Sequence, residues 1–213
     1  MKYIIDIETS PLSEPEILKY AEDLKPDSRL KDPVKVAEDL KNKKDKLVTC
    51  APLSALTGKI CGFGILDTAT GKISTSCGLD AAYELTAIES FMALLQTGNT
   101  LITFNGLRFD LPYLCRRALL YNKVLFNRFF KLDGYPQPNS EVSHIDLALV
   151  WDCKCREYVS LAKLATFLQV GEKKEVGTFF YQQLEAGKEE EAKSYLANDL
   201  KLTWEVAKKF GVA

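Results

Sequence analysis

Net charge is what this chain most plainly lacks: 28 lysines and arginines stand against 29 aspartates and glutamates in 213 residues. Without a global positive field, it is not built to wrap a long duplex or coat an anionic membrane. Any nucleic-acid contact is local, which suits a short strand end needing few phosphate contacts. Histidine is nearly absent, with His144 alone, and the six cysteines show no paired spacing. Cys153 and Cys155 form C-x-C with no second pair, which argues against structural zinc, and the thiols are read as free in a reducing compartment. Long apolar runs are lacking too, and Met1-Lys2-Tyr3-Ile4-Ile5-Asp6 carries charge among its first residues. Neither a signal peptide nor a membrane span is expected, and the protein is expected to be cytoplasmic. There is no internal repeat and no low-complexity linker.

What is present is an ordinary core composition, 46% hydrophobic, which fits one domain over residues 1–213 carrying an insertion. Lys2 to Glu8 reads as a strand with Tyr3, Ile5 and Ile7 on one side and Ile4, Asp6 and Glu8 on the other. Ser13 to Leu47 is dense in charge, broken by Pro15, Pro26 and Pro33, with helical spacing at Ile17, Tyr20, Ala21 and Leu24. It reads as a helical insertion at about 13–47. Gly58 to Leu66 and Lys72 to Cys77 flank a turn composition and predict a hairpin. Asp80 to Gln96 has helical periodicity, Thr100 to Phe104 is a strand, and Asn105-Gly106 turns the chain into a helix over Phe109 to Leu120. Val124 to Ser143 reads as loop, Ile145 to Val150 and Ser160 to Leu168 as helices. Lys188 to Phe210 is a last helix with an apolar face at Ala192, Tyr195, Leu196, Leu202, Val206 and Phe210. Strands first, then strand alternating with helix, predict an α/β chain: a mixed sheet flanked by helices.

The acidic residues set the chemistry. Asp6 and Glu8 emerge on one side of a strand, about 6 to 7 Å apart, where hard oxygen ligands for Mg²⁺ or Mn²⁺ would justify charge on an otherwise apolar strand. An edge strand exposing two acids is the plainer alternative. Asp110 stands at a strand-to-helix turn, as a metal ligand, a cap or a charge suited to the helix dipole. Tyr195 and Asp199 are four apart and share a helix face, where a surface carboxylate beside a half-buried tyrosine is the ordinary reading.

Their order is more informative than any one of them. Asp6-Ile7-Glu8-Thr9, then Asn105-Gly106-Leu107-Arg108-Phe109-Asp110, then Tyr195-Leu196-Ala197-Asn198-Asp199 resembles the three motifs of the DEDD superfamily of 3′-to-5′ exonucleases. The second motif is most similar to the exonuclease domain of family B DNA polymerases and to stand-alone proteins related to it. Position 194 is Ser194, where the histidine branch carries histidine, so the chain resembles the tyrosine branch. The resemblance implies a ribonuclease H-like mixed sheet and two divalent cations, Mg²⁺ or Mn²⁺. Asp6 would bridge them, Glu8 and Asp199 would complete the water-activating site, and Asp110 would support the other. Tyr195, with an ordinary pKa near 10, would orient the attacking water rather than deprotonate it. Thr9, Asn105 and Phe109 would contact the terminal nucleotide, with Phe109 either stacking on its base or packing in the core. Asp146 is expected to brace the site from behind, and His144 is read as structural.

The implied substrate is a nucleic-acid 3′ end, single-stranded DNA favoured, cleaved to nucleoside 5′-monophosphates. A ribonuclease trimming RNA ends is the alternative within the superfamily, and a catalytically inactive nucleic-acid-binding module is the alternative outside it. No polymerase domain fits in the rest of the chain, so a polymerase or repair partner would be a separate protein. No membrane association is expected.

Overall fold

The computed structural model describes residues 1–96, 98–130, 143–173 and 178–213. Internal contacts divide the chain into two compact units, Met1–Glu8 with Ile60–Ala213, and Thr9–Lys59.

The first strand, β1 (Lys2–Pro11), buries Ile4, Ile5 and Ile7. Successive strand residues point to opposite faces, so burial of both Ile4 and Ile5 means that both faces are covered. The hairpin follows as β2 (Gly58–Asp67) and β3 (Ile73–Cys77), antiparallel from Gly62 opposite Cys77 to Leu66 opposite Ile73. Asp67 closes its turn by accepting from the Ala69 amide at 2.9 Å. Helix α3 (Ala81–Leu94) starts where Asp80 accepts from the Tyr83 amide at 2.7 Å, the N-cap interaction that satisfies a free helix donor. Next come β4 (Thr100–Thr103), α4 (Asp110–Ala118), α5 (Phe126–Phe129) and β5 (Ser143–Asp146). The chain finishes with α6 (Leu147–Asp152), α7 (Leu161–Phe167), α8 (Phe179–Glu185) and α9 (Glu189–Lys209).

The sheet order is β3-β2-β1-β4-β5. Strand β4 runs parallel to β1, with Ile4 opposite Ile102, and β5 parallel to β4, with Ile102 opposite Ile145. The α/β architecture with a mixed, helix-flanked sheet is as the sequence predicts. On one face Ile4, Leu66 and Ile102 pack with Leu164 of α7 and Leu200, Leu202 and Val206 of α9. The period of two then places Asp6 and Glu8 on the side of β1 that α9 covers. The rings of Phe63 and Phe91 meet edge-on at 6.4 Å, fixing α3 against β2. Arg117 of α4 clamps Glu84 of α3 through Nε to Oε1 and Nη2 to Oε2, both at 2.7 Å. Glu84 also accepts from the Ile60 amide at 2.9 Å. Breaking a buried pair of this kind by removing one partner costs about 3 to 5 kcal/mol.

Two local expectations change. Ile145 lies in β5, not in a helix, because pairing with β4 takes Ser143–Asp146 before α6 begins. The run is too short for periodicity to separate strand from helix. The stretch read as loop from Val124 contains α5, while its residues 131–142 lie outside the described ones. Helix α8 was not anticipated.

The Thr9–Lys59 unit contains α1 (Glu14–Leu18) and α2 (Pro33–Thr49), and is wider than the 13–47 read from charge density. Asp32 caps α2 by accepting from the Val34 amide at 2.9 Å, with Pro33 at the first helical position, where its missing N–H costs nothing. Ile17, Ala21 and Ala51 are buried, whereas α2 buries none of its residues.

Candidate active site

Three carboxylates meet on the α9 side of β1. One oxygen each from Asp6, Glu8 and Asp199 lies within 4.8 Å of the others. Asp6 and Glu8 come from one face of β1. Asp199 comes from the buried face of α9, together with Tyr195, four residues and about one turn earlier. Helix α9 has Glu189, Glu190 and Glu191 in its first turn and Lys208 and Lys209 in its last, both complementing its dipole.

Close approach of the helices depends on β2. A Cβ placed on Gly62 would lie 2.4 Å from Phe180 Cζ of α8 and 2.9 Å from Glu8 Cβ. One on Gly64 would lie 2.7 Å from Leu200 Cδ1 of α9. Glycine at these places lets α8 and α9 lie against the sheet, so that Tyr195 and Asp199 reach β1.

The fourth acid arrives by a different route. Asp110 opens α4, is buried, and accepts from the amide of Ile7 at 3.2 Å. The loop before it is held by Asp146, whose Oδ1 accepts from the Asn105 amide at 2.8 Å and the Ala148 amide at 3.0 Å, while Oδ2 accepts from the Leu107 amide at 3.0 Å. Asn105 has φ 65°, a left-handed conformation that asparagine tolerates better than most residues. A Cβ on Gly106 would sit 2.2 Å from Thr103 Oγ1, so only glycine fits there. His144 Nε2 lies 2.9 Å from that same Oγ1. Phe109 is half-buried, its ring 5.4 Å from that of Tyr113. Thr9 is buried on β1, at the start of the Thr9–Lys59 unit.

Lys173 is the residue that the sequence reading missed. Its ammonium pairs with Asp199 Oδ2 and lies 4.9 Å from the centre of the Tyr195 ring. It stands outside all three motifs, and a lysine between α7 and α8 has no periodicity to mark it. A cavity of about 510 Å³ opens here, walled by Lys173, Phe179, Tyr195, Asn198 and Asp199 among others.

The electrostatics are those of crowded like charges. Burial, then the charges of Asp110, Glu8 and Asp199, push Asp6 well above the usual carboxylate range. Glu8 is raised by burial and by Asp199, and Asp199 by burial, against the pull of Lys173. Burial lifts Asp110 to about 7 despite the Ile7 amide, which favours its charged form. Burial opposes charge on Lys173, but Asp199 holds its pKa above the normal lysine value. Tyr195 is raised by burial and then by Glu8 and Asp199, so its phenol stays protonated at neutral pH. Tyr195 Oη is buried close to Lys173 and Asp199.

The sheet order and helix placement define a ribonuclease H-like fold. The chain belongs to the family described as "Predicted 3'-5' exonuclease related to the exonuclease domain of PolB", whose model matches residues 61–212. Among solved structures it is similar to the family B DNA polymerase from the hyperthermophilic archaeon Pyrobaculum calidifontis, at 16% sequence identity and a TM-score of 0.59. That likeness covers 98% of this chain and 24% of the polymerase chain. No curated protein matches. Among the described residues no helix is long and apolar enough to cross a membrane.

Proposed function

We propose that the chain is a two-metal 3′-to-5′ exonuclease of the tyrosine branch, hydrolysing phosphodiester bonds from the 3′ end of nucleic acid, single-stranded DNA favoured, and releasing nucleoside 5′-monophosphates. The observation that carries this reading is the convergence of Asp6, Glu8 and Asp199 within 4.8 Å, with Asp110 bonded to the backbone between the first two. Such a set is costly unless cations neutralise it. Lys173 supplies a single positive charge against several carboxylates, and hard carboxylate oxygens suit Mg²⁺ or Mn²⁺. The donor set therefore fits the implied ions.

Asp6, Glu8 and Asp199 would hold the cations, with Asp110 supporting from the β1 backbone side. When bound, the cations activate water and neutralise charge developing on the phosphate. The protein's own groups do the positioning. Tyr195, protonated, presents a hydroxyl that orients the attacking water by hydrogen bonding and is a poor base. Lys173 fixes the Asp199 carboxylate and offers positive charge to a phosphate entering the adjoining cavity. Asp146 holds the Asn105–Leu107 backbone and so the start of α4.

End-labelled single-stranded DNA, duplex DNA and RNA, incubated with Mg²⁺, Mn²⁺ or EDTA, test the reading. Stepwise shortening of single-stranded DNA from the 3′ end, lost in EDTA, is expected. Faster trimming of RNA would transfer the assignment to a ribonuclease of the same superfamily. Binding of strands with no shortening under any ion would refute the catalytic reading and leave a binding module.

A further inference from the structure

A second cavity, of about 450 Å³, is walled by Phe104, Asn105, Arg108, Leu149, Asp152 and Tyr158 among others. Its size is within the range of small-ligand sites. Asp152, 9% exposed, lines it, and its buried Oδ1 makes no hydrogen bond among the described residues. An unpartnered buried carboxylate oxygen is expensive and calls for a donor. Beside it, the Arg108 guanidinium lies 4.4 Å from the centre of the Tyr158 ring and donates from Nη2 to its hydroxyl at 3.2 Å. That pairing makes a flat, cationic, π-bearing wall in place of two mobile side chains. Between Asp152 and Tyr158 the chain keeps Cys153, Lys154 and Arg156 at φ 46°, 64° and 62°. Each is a left-handed non-glycine conformation costing about 1 kcal/mol or more.

We infer that this cavity is a subsite for one unpaired nucleobase of the bound strand, with Asp152 as a specificity-determining residue accepting a hydrogen bond from a base amino group. A nucleobase is planar, with apolar faces and a polar edge. The Arg108–Tyr158 wall suits its face, Phe104 and Leu149 suit its apolar contact, and Asp152 suits an edge that donates. Cytosine, adenine and guanine carry exocyclic amino groups, whereas thymine and uracil present carbonyl oxygens that a carboxylate repels. The inference rests on the exonuclease reading, because Asn105, which lines the cavity, belongs to the same short loop that delivers Asp110 to the carboxylates.

The test separates binding from cleavage. Affinities of short oligo(dC) and oligo(dT) are measured by fluorescence anisotropy in EDTA, for the wild type, Asp152→Asn and Arg108→Ala. The wild type is expected to prefer oligo(dC) by about tenfold, the worth of one good base contact. Asp152→Asn, whose amide also donates, is expected to bring the ratio near one and to melt no lower than the wild type, since the buried Oδ1 makes no hydrogen bond among the described residues that the change could lose. Arg108→Ala is expected to weaken both oligonucleotides together and leave the ratio in place. Equal wild-type affinities, or a ratio unchanged in Asp152→Asn, overturn the inference. The two readings fail separately: a base preference without strand shortening in Mg²⁺ sinks the exonuclease and leaves the subsite, and shortening without a preference does the reverse. Should Asp152→Asn fail to fold, the wild-type ratio with N4-dimethylcytosine in place of cytosine decides. Loss of the preference supports the Asp152 contact and its retention refutes it.

Discussion

Asp110 accepts a hydrogen bond from the amide of Ile7 at 3.2 Å, and Ile7 is the residue between Asp6 and Glu8. The acid that opens α4 is thus tied to the strand whose carboxylates it faces. On the proposed function, Asp110 keeps this backbone partner while its other oxygen serves the metal site.

On the proposed function, the acidic cluster trades stability for activity. Asp6 is driven up by burial first and then by three neighbouring acids, so neutralising it without changing its shape relieves repulsion in the cation-free protein. Asp6→Asn is expected to lower kcat by at least about 10³-fold and to raise the melting temperature in EDTA by a few degrees. Gel assays and thermal melts measured on one preparation check both. Near-normal turnover would remove Asp6 from the site.

Cation binding should depend on pH with a definite sign. Asp110 is raised to about 7 and Asp6 and Glu8 are raised well above their ordinary values. Relative to the unfolded chain, the cation-free native state therefore holds extra protons from about pH 4 upward, and these acids lower its stability as pH rises through that window. A cation must displace those protons, so the melting-temperature gain from saturating Mn²⁺ is expected to be larger at pH 8 than at pH 6. His144 acts in the opposite sense: burial lowers it to about 4, and its contribution, present above about pH 6.5, is lost as pH falls toward 4. Taking the gain with Mn²⁺ over EDTA at each pH cancels that contribution. A gain that does not grow with pH would count against cation binding at these carboxylates.

Strand β1, the hairpin and α9 were legible in the sequence because each has a clean period or a turn composition, whereas Asp6, Glu8 and Asp199 were ambiguous singly and legible only as an ordered set of motifs. Asp146 was named as a brace, but the sequence offers no sign that its two oxygens hold three backbone amides. Lys173 and α8 were not legible. Lys173 matters through a long-range pair with Asp199, and α8 has only seven residues, too few for periodicity to speak. The glycines of β2 were visible, yet only the packed helices show why Gly62 and Gly64 have no side chains.

Lys173 is expected to act more on turnover than on binding. Its ammonium is held on Asp199 and against Tyr195, so Lys173→Ala removes a positive charge from the site and frees the Asp199 carboxylate. A fall in kcat of about 10²-fold with a KM change of under about threefold is the expected pattern for charge stabilisation felt mainly in the transition state. Lys173→Arg, which keeps the charge but changes its geometry, should recover part of the loss. A change confined to KM would make Lys173 a binding residue only.

Gly62 gives the sharpest test of how the sheet and helices build the site. A Cβ there meets the Phe180 ring at 2.4 Å and Glu8 Cβ at 2.9 Å, so Gly62→Ala must move α8, β1 or both. Overpacking of this kind costs about 1 to 3 kcal/mol. Displacing Glu8 by a fraction of an ångström from its partners on α9 should cost about ten- to a hundredfold in kcat. Gly64→Ala presses on Leu200 Cδ1 at 2.7 Å and on Leu196 Cγ at 3.0 Å, with no site acid among its three nearest neighbours. Comparable destabilisation with a milder effect on kcat is therefore expected for Gly64→Ala. Chemical denaturation and single-turnover cleavage of both variants separate the two contributions. Equal losses of kcat would mean that the helix packing as a whole, and not the Glu8 contact, sets the geometry.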